Sequence, residues 1–157
     1  MTQIVISEIE GSILNLLTSS CFIITTIHAF YRNCELLMYG CMLCLMTSWL
    51  YHGSRTLYLY TNYNFYKWLI PKVRLVDMGV CQSCVIYFTY MCASFHWLYI
   101  FTLCTVFYIF MNYYVFGTSK RVVDGYIWHA SIHVIANIGI CCLIESCYHT
   151  IECVICN

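Results

Sequence analysis

The chain has 157 residues, of which 62% are apolar, 18% aromatic and only 9% charged, with one proline and a formal net charge of zero. A soluble domain carries about a quarter of its residues as charges, so this composition excludes an ordinary wet surface and predicts an all-α, polytopic transmembrane helical bundle. Basic residues fall only in short connections, with no stripe that could follow a phosphate backbone, so no nucleic acid is expected as a partner.

At the amino terminus, Met1 to Gly11 carries Glu8 and Glu10 but no basic stretch, and no small-residue cleavage pattern follows. No cleaved signal peptide is expected. Hydropathy then predicts five spans, at about 12–31, 35–53, 75–93, 97–116 and 126–146, each near the roughly 20 residues of a bilayer crossing. The apolar run from Leu75 to Phe116 is too long for one crossing and is expected to turn near Ser94-Phe95-His96. Between spans two and three, Ser54 to Arg74 reads as the longest loop, holding Arg55, Lys67, Lys72, Arg74 and Pro71. Its Tyr58, Tyr60, Tyr63, Phe65, Tyr66 and Trp68 suit a segment lying on headgroups, placed to gate lipid entry. Gly117 to Gly125 reads as a further loop. With no repeat, low-complexity tract or flexible linker, residues 1–157 are expected to form a single integral-membrane domain.

Most of the 13 cysteines lie inside apolar runs, where a free thiol acts as a small hydrophobe. Cys41/Cys44, Cys81/Cys84 and Cys153/Cys156 have C-x-x-C spacing. The first two pairs are expected to be reduced helix-interface filler, and the last to be lipidated or without a role.

Five spans put the amino terminus and the loops after spans two and four on one side. Six of the seven basic residues share that side, namely Arg55, Lys67, Lys72, Arg74, Lys120 and Arg121, while Arg32 stands alone opposite. The positive-inside rule makes that side cytoplasmic, with the carboxy terminus outside or lumenal.

This topology, drawn without reference to polar residues inside the spans, brings five of them to one depth. Ser48 and His52 end span two, Asp77 begins span three, and His129 and His133 open span five. Four-residue spacing sets Ser48 with His52, and His129 with His133, on single helix faces. Ionisable groups in hydrocarbon are costly and mark function. Three imidazoles with one open position make a catalytic zinc arrangement, so His52, His129 and His133 are the expected Zn2+ ligands. Asp77, expected at a helix amino terminus, would orient or deprotonate the zinc water, and Ser48 would steady an oxyanion or support a ligand.

The S-x-x-x-H of Ser48-Trp-Leu-Tyr-His52, then Asp77, then the H-x-x-x-H of His129 and His133 resemble the signature of the CREST superfamily of membrane hydrolases. That group includes alkaline ceramidases, progestin and adipoQ receptors, GPI-remodelling proteins and myomaker-like proteins. The S-W-x-aromatic-H form looks most like alkaline ceramidases, whereas the distance from His52 to Asp77 and the sequence Asp124-Gly-Tyr-Ile-Trp-His129 look more like the myomaker-type branch. The resemblance covers about Thr47 to Asn137. It implies zinc-dependent hydrolysis of a membrane lipid, with an amide bond of a ceramide-like lipid as the first expectation and a phospholipid ester as the nearest variant. Family members have four helices between the aspartate and the H-x-x-x-H helix, where this chain has room for two. A homo-oligomer is one way to rebuild the walls of a substrate cavity. The acidic, tryptophan-containing amino-terminal segment of alkaline ceramidases is absent, so a calcium site of their kind is not expected.

Two other classes stay open. A haem-binding electron carrier would use His28, His96 and His149, which fall toward the opposite face. A non-catalytic fusion or receptor-like protein would keep the zinc site for stability. Glu145 and Glu152 are expected to meet headgroups or water at the far face, and the basic clusters to act as topology determinants.

Overall fold

In a computed structural model, which describes residues 2–91, 97–112 and 122–149, the chain folds into helices. These are α1 (Thr2–Ser19), α2 (Cys21–Tyr31), α3 (Glu35–Thr61), α4 (Asn64–Met91), α5 (Trp97–Phe110) and α6 (Val122–His149). No strand occurs among the described residues, as the composition predicts. Two stretches of 25 residues, Ser7–Tyr31 and Asp124–Tyr148, are long and apolar enough to cross a membrane, and Trp97–Phe110 is a shorter apolar helix.

Helix ends differ from those read from hydropathy. The segment 54–74 is not a loop: α3 continues to Thr61, α4 starts at Asn64, and Pro71 lies inside α4. Asn62 closes α3 in the left-handed region (φ 50°), a conformation asparagine tolerates, and its N–H donates to the Tyr58 carbonyl at 2.8 Å. Charges and tyrosines lower hydropathy without breaking a helix, and Lys72 Nζ sits 3.0 Å from the centre of the Trp68 ring one turn earlier. Likewise α1 already runs from Thr2, and α6 begins at Val122, so Gly125 is helical rather than part of a loop. The expected turn at Ser94-Phe95-His96 and the rest of the Gly117 loop lie outside the described residues.

The first apolar stretch is interrupted at Ser20, between α1 and α2. Thr18, Ser19 and Ser20 hydroxyls donate back to the carbonyls of Leu14, Leu16 and Leu16 at 3.0, 2.8 and 3.2 Å. Such back-bonding competes with the helix ladder and can interrupt it without proline. A tight connection follows, where Asn33 (φ 56°) lets the Cys34 N–H reach the Ala29 carbonyl at 2.9 Å.

Helix α3 packs against α1, α2 and α4, and α6 against α1, α2 and α5. Phe22, Ala29, Leu37, Cys41, Cys44, Phe88, Leu143 and Ile144 form the apolar core. A Cβ on Gly40 would run into the Phe88 ring, and one on Gly139 into Thr102, so these glycines let α4 and α5 approach α3 and α6 closely.

Polarity is inverted relative to a water-soluble bundle. Ser12, Asn15, Thr25, Ser48, His52, Asp77, His133 and Asn137 are buried, while Leu17, Ile24, Met46, Ile86, Phe101 and Phe107 are each at least 63% exposed. The interior is stitched by hydroxyl and amide contacts such as Ser12 to Thr56 at 2.9 Å and Thr25 to Asn137 at 2.8 Å.

Candidate metal centre

Helical spacing delivers the histidines. On α3 the inward face runs through Leu37, Cys41, Cys44, Ser48 and His52, and on α6 through Ala130, His133 and Asn137, with His129 one turn before His133. Where these faces meet, the rings make a nearly equilateral triangle: centroids are 5.0 Å apart for His52 and His129, 5.1 Å for His52 and His133, and 4.8 Å for His129 and His133. One nitrogen from each lies within 4.8 Å of the others, which makes these three residues a group able to hold a metal ion.

Two observations support the fit. His52 is 1% exposed, yet its Nε2 has no hydrogen-bond partner. A buried, unpartnered ring nitrogen is costly unless something binds it. His133 is oriented from behind, its Nδ1 lying 3.1 Å from the Thr18 hydroxyl. Because the Thr18 hydrogen is directed to the Leu14 and Asn15 carbonyls at 3.0 and 3.2 Å, its oxygen accepts from Nδ1–H. That tautomer leaves the Nε2 lone pair for a metal.

Asp77 is buried in the middle of α4, not at a helix amino terminus as expected, because α4 starts at Asn64. The helix dipole therefore does not act on it. Hydrogen bonds orient the carboxyl instead, since the Ser48 hydroxyl donates to Oδ1 at 2.6 Å, Thr47 at 3.1 Å and the Cys81 thiol at 3.8 Å. All three fall on Oδ1, leaving Oδ2 for other partners. Ser48 is thus committed to Asp77.

Both groups line one cavity. Ser48, Arg74, Asp77, His129 and His133 share a space of about 610 Å³ whose remaining wall is largely apolar, including Phe88, Tyr99, Phe107 and Leu143. All five residues picked from sequence are therefore at or beside this centre, with the histidines gathered into one cluster and Ser48 and Asp77 into another.

Sequence reasoning passed over Thr18, Asn15 and Thr47. The available signal was the Thr18-Ser19-Ser20 hydroxyl run inside an apolar stretch. If Thr18 fixes the His133 ring, Thr18→Val should weaken metal binding at the histidine cluster about 10–100-fold in competition with a chromophoric chelator. Unchanged affinity would show that Thr18 does not orient the ligand.

At the other end of the bundle, Glu145 does not simply meet headgroups. Arg32 donates to both its oxygens at 2.9 Å, His28 Nε2 lies 2.6 Å from Oε1, and the Arg32 guanidinium stacks 4.3 Å from the Tyr148 ring centre. His28 is thus engaged by a carboxylate. His96, the His149 side chain, Lys120, Arg121, Glu152, Cys153 and Cys156 lie outside the described residues. Arg55, besides any part in topology, donates to the Tyr126 hydroxyl at 2.8 Å.

No family model, curated protein or solved structure matches this chain.

Proposed function

We propose that the protein is a multi-pass membrane hydrolase that uses zinc, held by His52, His129 and His133, to cleave a lipid amide of the ceramide type. The observation carrying this reading is the three-histidine cluster, with His52 and His133 buried and His129 half-buried, bordering a largely apolar cavity that also contains a buried carboxylate. Apolar side chains facing outward and polar ones inward suit a hydrocarbon solvent, in which α1 with α2, α3, α4, α5 and α6 supply five crossings. Cys34, in the α2–α3 connection, is disulfide-bonded, which suits an oxidising compartment at that face. It agrees with placing Arg55, Lys72 and Arg74 in the cytoplasm by the positive-inside rule.

A cavity of about 610 Å³ is within the range that holds a small ligand, and its apolar wall suits an acyl chain. When bound, zinc would polarise the substrate carbonyl and bring the pKa of bound water to about 7. The chain's own groups do the rest. Asp77 accepts the proton of the attacking water at Oδ2 and returns it to the leaving amine, so water and amide become a fatty acid and an amine. Ser48 and Thr47 hold the carboxylate through Oδ1. Thr18 keeps His133 in its ligating tautomer.

The test is made on the full chain in lipid nanodiscs containing ceramide. About one zinc per chain is expected by elemental analysis, as for a structural or catalytic three-histidine site. Fatty acid release should stop on chelation and return with zinc. Zinc with no release from ceramide or phospholipid would instead favour a structural metal tying α3 to α6. A chain that binds no zinc would overturn the reading.

A further inference from the structure

The two C-x-x-C motifs, expected as filler, face each other across the α3–α4 seam. Helices α3 and α4 run antiparallel and meet turn by turn. Gly40 takes the Phe88 ring, Cys44 lies opposite Cys81 and Cys84, and Thr47 and Ser48 meet Asp77. Gly40 has no side chain to hold the helices apart. The Cys84 thiol points across the seam, 4.0 Å from the Gly40 carbonyl, while the Cys81 thiol points back to Asp77 within α4. All four thiols are free and line the cavity.

We propose that Cys44 and Cys84 are a redox-sensitive pair which hydroperoxides oxidise to a disulfide stapling α3 to α4. Four observations converge on this pair. The thiols are neighbours, they come from different helices, the seam closes over the side-chain-free Gly40 one turn from Cys44, and a largely apolar cavity gives small uncharged oxidants access. The chemistry balances. The Cys84 thiolate attacks the distal oxygen of ROOH, the O–O bond breaks, ROH leaves, and Cys84 becomes a sulfenic acid. Cys44 then attacks that sulfur, forming S–S and releasing water. In net terms, two thiols and ROOH give a disulfide, ROH and water.

The bond would form one turn from Ser48 and two turns from Asp77, and would fix the seam that joins them. It needs no metal, so its test is independent of the proposed hydrolase activity.

Full-length protein in nanodiscs is treated with cumene hydroperoxide, alkylated, digested with trypsin and mapped by mass spectrometry with fragmentation. Peptides 33–55 and 75–120 should become joined through Cys44 and Cys84, and dithiothreitol should release them. Cys44→Ala and Cys84→Ala should each lose the link, small-for-small changes that leave the helices able to pack. The oxidised wild type should also unfold at a higher temperature than the oxidised Cys84→Ala variant. Thiols that remain alkylatable after peroxide, or a link mapped to Cys81, would overturn the assignment.

Discussion

Replacing His52 with alanine should prevent metal binding at the histidine cluster and abolish the proposed lipid hydrolysis together. His52 comes from α3 while the other two histidines share α6, so it is the ligand that completes the cluster across the helix interface. Two imidazoles on one helix leave zinc with half its tetrahedral shell to be filled by water. Zinc per chain should fall from about one to below about a tenth at a metal concentration that saturates the wild type. Stability adds a second readout. A metal that binds only the folded chain adds about 2.7 kcal/mol when its concentration is about 100 times Kd. Wild type should therefore lose thermal stability on chelation, and His52→Ala should not respond. A variant that keeps its zinc and its response to chelation would show that His52 is not a ligand.

The histidine triangle was legible because four-residue spacing is a property of the helix itself. Ser48 with His52 and His129 with His133 share a face wherever each helix begins. The distribution of basic charge then suggested compatible depths for the two helices. The helix ends were not legible in the same way. Hydropathy detects the apolar middle of a helix, so the charged first half of α4 read as loop and Asp77 was misplaced at an amino terminus. Pro71 reinforced that error, although an internal proline, which removes one backbone hydrogen bond and crowds the preceding turn, can kink a helix without ending it. Asp77 still arrived beside Ser48 because the antiparallel seam, not the end of α4, sets their register.

The supporting hydroxyls were illegible for a different reason. Thr18, Thr47 and Ser48 are small, helix-compatible and able to bond to their own carbonyls, so sequence alone does not separate a residue that satisfies itself from one that orients a neighbour. Only the packing of α1 on α6 shows that Thr18 faces His133. The thiols pose the same problem. Cys44 and Cys84 have the composition of filler, and their pairing appears only once the α3–α4 register is known.

Asp77→Asn should separate chemistry from architecture. Asparagine keeps the shape and an acceptor oxygen for the Ser48 and Thr47 hydroxyls, so the bonds of 2.6 and 3.1 Å that tie α3 to α4 can persist. The histidine cluster is built from α3 and α6 and does not need the carboxylate, so zinc content and thermal stability should match wild type. What the amide cannot do is accept a proton from water and return it to the leaving amine. General acid–base groups contribute about 10²–10⁴-fold, and ceramide turnover should fall by that amount with little change in KM. Asp77→Ala would lose turnover and stability together, because the Ser48 hydroxyl would then be buried without its acceptor. Full turnover in Asp77→Asn would assign the carboxylate to holding the α3–α4 seam and move the proton-transfer role elsewhere in the cavity.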